Sequence, residues 1–426
     1  MKTKLTEKLR GDFLQGFVIY LGSTVLNKAI PFLLLPILTR YLSPAEYGLL
    51  AMYQVLISFG NPLVGMALHV HIGSNYFRVE KEELSKITSN ALFILTTTST
   101  FLLIALWIYT SFGGNLFSIP EKWILALPLV LFMNMINQFN LTLLRSQKKA
   151  LRFGIFEISK TAVDLGISLV LVVVYLLSWE GRVIGIVISS ILLGVVSLLH
   201  IIKQGYFGTK LSKKVMRDIL GVSLPLIPHS MGVAVITLSD RLFIDQMISN
   251  TAVGIYTVGY QFGMIMSLVV IAFNRTWSPW VYEKLAQDTA HNKKKIVRAT
   301  YFVAVVLILV SLAINELSKV LLPLMTDSEY HSAVRYVFWV SLGYAFYGFY
   351  TLVFPYGVHV GKTSYLGITT FFAALVNLIG NYYLIKWNGP IGAAQSTLIS
   401  YLIMFLMVWW NSNKLFPMPW FTWMKG

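Results

Sequence analysis

The sequence predicts an all-α polytopic membrane protein of about twelve transmembrane helices, in two six-helix bundles related by pseudo-two-fold symmetry around a central cavity. Three observations lead there. Of 426 residues, 56% are hydrophobic and only 12% are charged, about half the ~25% charged fraction of soluble domains. Apolar runs recur at about 20 residues, the length that crosses a hydrocarbon core of ~30 Å. Lysine and arginine crowd into alternate connections, as the positive-inside rule demands of a multi-span chain.

Spans are expected near residues 13–38, 47–69, 88–111, 123–143, 154–178, 183–202, 219–239, 252–274, 299–324, 332–354, 363–385 and 389–410. With the N-terminus inside, 25 basic residues fall on cytoplasmic segments and 7 outside, while Lys28 and Lys160 lie within spans. Both termini are therefore expected in the cytoplasm. The first span follows a basic N-terminus, but its apolar run is too long for a signal peptide and lacks a small-residue cleavage site. Trp277, Trp280, Trp409, Trp410, Trp420 and Trp423 fall at span edges, where an indole can bury its ring and keep its N–H wet.

The same composition excludes several classes of function. The longest polar interruptions, 203–218 and 283–298, are too short for a nucleotide-binding or catalytic core. With no cysteine, disulfides, thiolate metal sites and cysteine nucleophiles are absent. The net charge of +16 follows from cytoplasmic placement of lysine and arginine rather than from nucleic-acid binding. His69 and His71 lack the further ligands of a metal site, and Asn140-Leu141-Thr142 fits a glycosylation acceptor but lies inside the fourth span. Gly259 with Gly263, and Gly357 with Gly361, have the spacing that allows close helix packing.

Shifting the chain by 206 residues lays Asp12 on Asp218, Leu14 on Leu220, Ile30 on Ile236, Ser43 on Ser249 and Gly48 on Gly254 without a gap. Each copy starts a long span at a basic edge and ends in a serine, a short turn, and a glycine that opens the next span. Six spans per copy would give both halves the same orientation, related by an axis along the membrane normal. The expected division is 1–202, a cytoplasmic linker at 203–218, and 219–426.

A charged side chain inside a span costs roughly 2.5 to 3.5 kcal/mol unless it faces a cavity or a partner, so each is a functional candidate. Glu157, Lys160 and Asp164 in the fifth span share one helical face. At about 1.5 Å per residue from Phe153, Asp164 is roughly 16 Å deep. Two readings are open: a Lys160–Asp164 pair that neutralises itself, or a proton or cation site. In the seventh span Pro225 and Pro228 favour bending, and His229 is either a proton carrier or a hydrogen-bonded core histidine. That span ends in Ser239, Asp240 and Arg241. Adjacent residues point to different sides of a helix, so Asp240 and Arg241 are not expected to form one simple pair. Arg241 would instead meet an anion at the outer mouth or snorkel to lipid phosphate.

Lys28 is placed in the outer half of the membrane, Arg40 and Arg335 at outer edges, and Arg78 and Arg275 at inner ones. If these line two mouths, the electropositive rims suit phosphate, which arginine grips with parallel hydrogen bonds. The substrate-binding candidates are thus Lys28, Lys160, Arg241, Arg40, Arg275 and Arg78. The ion-coupling candidates are Glu157, Asp164, Asp240 and His229.

Pro31 to Gly48, with its Leu-Pro-Ile-Leu-Thr-Arg-Tyr-Leu-Ser-Pro-Ala-Glu-Tyr-Gly run, resembles the first-loop signature of the Wzx-type oligosaccharide flippases of the polysaccharide transport family. Ser239-Asp240-Arg241-Leu242-Phe243-Ile244 and Val253-Gly254-Ile255-Tyr256 resemble that family's seventh-span end and eighth-span start. Lipid II flippases and MATE drug exporters are related members of the superfamily. The resemblance implies a bacterial inner-membrane flippase, not an enzyme, that moves an undecaprenyl-diphosphate-linked oligosaccharide to the periplasmic face for O-antigen or capsule assembly by alternating access. Membrane lipids are the other expected partners, and the polysaccharide polymerase machinery is left as an open one. No cofactor is expected, beyond a coupling H+ or Na+ that the sequence does not choose between. The alternatives are a MATE-like cation-coupled drug exporter, which would prefer a more acidic cavity, and a membrane glycosyltransferase or polymerase, for which the outer loops are short.

Overall fold

The computed structural model describes residues 34–208, 210–362 and 364–421, with Gly22, Leu26, Ile30 and Phe32, and gives only the backbone at His229 and Ser364. Every regular element among the described residues is helical. The end of the first span, α1, covers 34–41. There follow α2 (Pro44–Gly65), α3 (Leu68–Asn75), α4 (Lys81–Ser111), α5 (Glu121–Ser146), α6 (Ala150–Leu169, continued by a π turn Val170–Val174), α7 (Ser178–Lys203) and α8 (Lys213–Ser223). The second half comprises α9 (Leu226–Met247), α10 (Asn250–Gly263), α11 (Ile265–Ala286), α12 (Ala290–Met325), a 3-10 turn Ser328–Ala333, α13 (Val334–His359), α14 (Ser364–Asn388) and α15 (Pro390–Leu415).

Ten of the described helical runs are long and apolar enough to cross a membrane, so the chain is a multi-pass membrane protein. About two thirds of the expected first span, Lys28 included, lies outside the described residues. The expected fifth span is the helix α6, which is not among the ten and carries Glu157, Lys160 and Asp164. The seventh span is interrupted at Leu224–Pro225, because proline has no N–H for the ladder and its ring opposes continuation. Pro228 then sits in the first turn of α9, where a missing N–H costs nothing. The polar stretch 283–298, expected as a loop, is mostly helix, since α11 runs to Ala286 and α12 starts at Ala290. Thr289 caps α12 by accepting from the Asn292 N–H at 3.2 Å.

The helices pack into two compact units, one of Met1–Leu34 with Met52–Met231, the other of Leu35–Ala51 with Gly232–Gly426. These lines differ from the 1–202 and 219–426 halves expected from the sequence. In the first unit α7 lies against α5 and α6, and α4 against α5 and α8. Leu68, Ile72, Leu95, Leu131, Ile136 and Phe139 centre its apolar core. The connection to α8 is strapped to α4: Asn90 Nδ2 donates to the Lys210 carbonyl at 3.3 Å and its Oδ1 accepts from the Ser212 N–H at 2.9 Å. In the second unit α13 packs against α15, α12, α11 and α10. Trp277 and Trp420 belong to its core. Both indoles are buried and donate within the protein, Trp277 to the Leu352 carbonyl and Trp420 to Asn413 Oδ1, each at 3.1 Å. They are packing residues rather than the wet edge anchors expected, whereas Trp410 is exposed.

The repeat signature has a physical origin. Ser43 forms a capping box at the start of α2: its N–H donates to Glu46 Oε2 at 2.8 Å and its hydroxyl accepts from the Glu46 N–H at 3.4 Å. Ser249 caps α10 by accepting from the Ala252 N–H at 3.2 Å. One turn on, Gly48 and Gly254 let these helix starts touch. A Cβ on Gly48 would collide with the Asn250 carbonyl oxygen, and one on Gly254 with the Pro44 carbonyl oxygen. Pro44 and Asn250 are themselves 206 residues apart, so the two collisions are images of each other. Tyr330 closes the corner by donating to the Leu42 carbonyl at 2.7 Å. Gly259 and Gly263 likewise bring α10 against Ala333 and Val340, as their spacing suggested.

Gly48→Ala and Gly254→Ala should each lower stability by about 1–3 kcal/mol, because rigid backbone stands where the methyl must go. Gly367→Ala, whose Cβ meets nothing within 4 Å, should be neutral or gain up to ~1 kcal/mol. Thermal unfolding in detergent reads all three, and equal midpoints would remove the close-approach account.

Candidate functional site

The chain reverses at residues 175–177, between the π turn that continues α6 and the start of α7, and Arg182, in the first turns of α7, reaches along α6 to Asp164. Arg182 grips Asp164 with two parallel contacts, Nη1 to Oδ1 and Nη2 to Oδ2, the latter at 3.0 Å. Its Nη1 also donates to Ser168 Oγ at 2.8 Å. Gly185 permits this approach, since a Cβ there would collide with the Ser168 hydroxyl. Of the two readings left open for this group, the Lys160–Asp164 pair is not the hydrogen-bonded pair formed: Asp164 is held by Arg182, whose planar fork suits two parallel contacts as an ammonium does not. Arg182 was counted from sequence only among the outer cations, because its reach to Asp164 depends on the packing of α7 against α6.

Lys160 turns instead to α5, donating to Asn134 Oδ1 at 2.6 Å, and Ser190 donates to the same oxygen at 3.1 Å. Glu157 completes the group, with Oε2 buried and without a hydrogen-bond partner among the described residues. Glu157, Lys160, Asp164 and Arg182, with Asn137 and Gln138, line a cavity of about 290 Å³ inside the first unit. Its polar wall continues between α5 and α7. Ser197 donates to Asn137 Oδ1 at 2.8 Å, Asn140 Nδ2 donates to Ser197 Oγ at 3.4 Å, and His200 Nδ1 lies 2.7 Å from Asn140 Oδ1. The burial of Asn140 agrees with its dismissal as a glycan acceptor. Such amides go unnoticed in a hydropathy reading, although the three-residue spacing of Asn134, Asn137 and Asn140 puts them on one face.

A second buried cluster lies in the other unit. Asp240 is completely buried. Its Oδ1 accepts from Arg241 Nη1 at 2.7 Å and from the Arg241 backbone N–H at 2.8 Å, while Oδ2 accepts from the Tyr256 hydroxyl at 2.6 Å. Arg241 also donates to the Thr237 carbonyl at 3.1 Å and lies 4.2 Å above the Tyr260 ring. The expectation that adjacent residues would not pair is overturned. A long guanidinium stem folds back along the helix and reaches its neighbour, and the pair with its tyrosines is buried rather than set in an open mouth. Beside it, Ser239 donates to Asn377 Oδ1 at 2.9 Å and accepts from Asn381 Nδ2 at 3.1 Å. The sequence reading singled out none of Tyr256, Tyr260, Asn377 or Asn381 as a site residue.

The remaining candidates fall elsewhere. Arg78 is exposed in the turn before α4 and does not line the α6 cavity. Arg40 and Arg275 belong to the second unit, the first exposed and the second half-buried on α11. Lys28 and the side chain of His229 lie outside the described residues.

Removing one partner of a buried ion pair strands the other, so Arg182→Ala should cost about 3–5 kcal/mol. Adding Asp164→Asn should recover part of that loss, as read by thermal unfolding in detergent. A double variant no more stable than the single one would sink the pairing argument.

Comparison with known proteins agrees with this architecture. The model of the polysaccharide biosynthesis protein family matches residues 13–284, and the MatE model matches residues 225–383. The chain is 28% identical over 277 residues to "Lsg locus putative protein 1" of Haemophilus influenzae, covering 63% of this chain and 66% of that protein. It is 24% identical over 279 residues to an "Uncharacterized membrane protein" of the same organism, covering 65% and 66%. The chain thus spans just under two thirds of the length of these relatives. Among solved structures, "Lipid II flippase MurJ, inward closed conformation" superposes with a TM-score of 0.71 at 18% identity, covering 93% of this chain and 87% of that one. An inward-facing multidrug resistance MATE transporter of the MOP superfamily superposes at 0.69 with 10% identity, covering 94% of each. The fold is thus that of the MATE and MurJ transporters, and with the family model covering well over half of its length the chain belongs to the polysaccharide biosynthesis protein family.

Proposed function

We propose that the protein is a flippase that carries an undecaprenyl-diphosphate-linked oligosaccharide, an O-antigen or capsule repeat unit, from the cytoplasmic to the periplasmic face of a bacterial inner membrane. The observation that carries this reading is the mixed-charge cavity at Lys160 in a chain of the polysaccharide biosynthesis family. A diphosphate with several sugars cannot cross hydrocarbon unaided, since stripping water from charges and hydroxyls costs tens of kcal/mol. In this reading the chain has twelve spans with both termini in the cytoplasm, and alternating access moves one six-span half, 1–202, against the other, 219–426.

Residue roles follow from the partners found. Arg182 neutralises Asp164 and Arg241 neutralises Asp240, so in this reading both pairs are structural and hold neither cargo nor ion. Among the described residues the ammonium of Lys160 hydrogen-bonds a neutral amide, that of Asn134, and Lys160 is the cation proposed to meet phosphate. Arg40, Arg78, Arg275 and Lys28 are proposed as guides along the route. Glu157, with its unpaired oxygen, is the group proposed to carry a coupling H+ or Na+. Exporting about two negative charges along an inside-negative potential releases roughly 5 kcal/mol per 100 mV, so potential alone is also a sufficient drive. The MatE match over residues 225–383 favours a second reading, a cation-coupled drug exporter, in which Glu157 would face a cationic cargo.

Reconstitution with a fluorescent polyprenyl-diphosphate oligosaccharide, under an imposed potential, tests the proposal. The head group should cross faster as the inside becomes more negative, and Lys160→Ala should slow it by about tenfold or more, the worth of one charged contact. Glu157→Gln should flatten the dependence of the rate on pH or sodium. Movement of a cationic dye instead of the glycolipid would establish the exporter. An unchanged rate in Lys160→Ala would remove that lysine from the path.

A further inference from the structure

The amphipathic helix α8 carries a groove separate from the α6 cavity. Lys213, Met216, Arg217, Leu220, Gly221 and Leu224 line an open groove of about 430 Å³. Their spacing of three and four residues places them on one helical face; Ile219 is buried in the core of the first unit, and the half-buried Met216 and Leu220 pack against that core as they line the groove. The stripe is polarised along its length. Its first turns present an ammonium and a guanidinium, both exposed, and neither is paired with an acid among the described residues. Its far end is apolar, and there Gly221 and Leu224 are exposed, Leu224 at 47%. At about 1.5 Å per residue the stripe is roughly 16 Å long, enough to lay down much of one acyl chain.

We propose that this face of α8 binds one anionic phospholipid of the cytoplasmic leaflet. The phosphate sits between Lys213 and Arg217, and an acyl chain lies along Met216, Leu220, Gly221 and Leu224. Charge complementarity commits the groove to this occupant. Lys203, Lys210, Lys213, Lys214 and Arg217 place five cations within fifteen residues against the single acid Asp218, and such a cluster at the head of a membrane span draws anionic headgroups. A soluble anion would leave the apolar end of the stripe in water, whereas a neutral phospholipid would leave Lys213 and Arg217 without a surplus negative charge to meet. Gly221 marks where the chain passes, because a Cβ there would meet nothing within 4 Å.

That opening supplies a variant that blocks the groove without disturbing the packing. The full chain in detergent is titrated with phosphatidylglycerol or phosphatidylcholine, and bound lipid is counted by native mass spectrometry while the unfolding midpoint is recorded. The expected result is one phosphatidylglycerol retained, a raised midpoint, and no comparable effect of phosphatidylcholine or of inorganic phosphate. Lys213→Ala with Arg217→Ala should weaken retention about tenfold or more, and Gly221→Phe should weaken it with both cations still present. Both variants should unfold like the parent in lipid-free detergent. Equal retention of phosphatidylcholine, an equal effect of inorganic phosphate, or full retention by Gly221→Phe would overturn the proposal.

Discussion

A charge that enters hydrocarbon has to bring its counter-charge with it, and this constraint organises both units of the protein. Burying a carboxylate alone is so costly that the group would neutralise rather than remain an anion, so each deep acid with a fixed role stands against a guanidinium. Asp164 meets Arg182 across a hairpin, and Asp240 meets Arg241 next to it in sequence. The two solutions differ in what they fix. The first ties α6 to α7 and requires the glycine at 185 for its approach. The second ties α9 to α10 through the Tyr256 hydroxyl. Neither pair is expected to outperform an apolar contact in raw stability, but breaking one leaves a stranded charge.

Close helix approach is the second constraint, and it follows from the solvent. Lipid tails are as apolar as leucine, so helices in a bilayer gain mainly from dispersion and hydrogen bonds at short range. Small residues mark where this happens: Gly48 and Gly254 at the capped starts of α2 and α10, Gly259 and Gly263 along α13, Gly185 beneath the ion pair. The amide ladder of Asn134, Asn137 and Asn140 serves the same end. It replaces water with Ser190, Ser197 and His200 on the facing helix.

Once those partners are assigned, the α6 cavity has a distinct chemistry. It is lined by equal numbers of acids and bases, yet Asp164 and Arg182 satisfy each other and leave Lys160 on an amide and Glu157 with an orphaned oxygen. Lys160 and Glu157 stand one turn apart, neither in a hydrogen-bonded ion pair among the described residues, and on the proposed reading this leaves them to exchange partners with an arriving ion or headgroup. The buried Asp240 cluster, closed by two tyrosines, lacks that freedom.

Composition and run length alone determined the membrane class and the approximate place of most spans, and the Ser43 and Ser249 pattern marked where α2 and α10 begin to within a turn, because these rest on local properties of the chain: transfer free energy and backbone preference. The shared face of Glu157, Lys160 and Asp164 was legible for the same reason, since helical spacing fixes it. Which charge answers which was not legible. Local spacing favoured Lys160 for Asp164 and separated Asp240 from Arg241, and both inferences failed because a guanidinium on a long stem reaches partners that the helical wheel does not bring near. Trp277 and Trp420 failed as edge anchors in the same way, having found carbonyl and amide acceptors inside the fold. The tertiary structure decided those pairings, since an ion pair or a buried N–H is satisfied by whatever group packing brings within about 3 Å, and that group is most often on another helix.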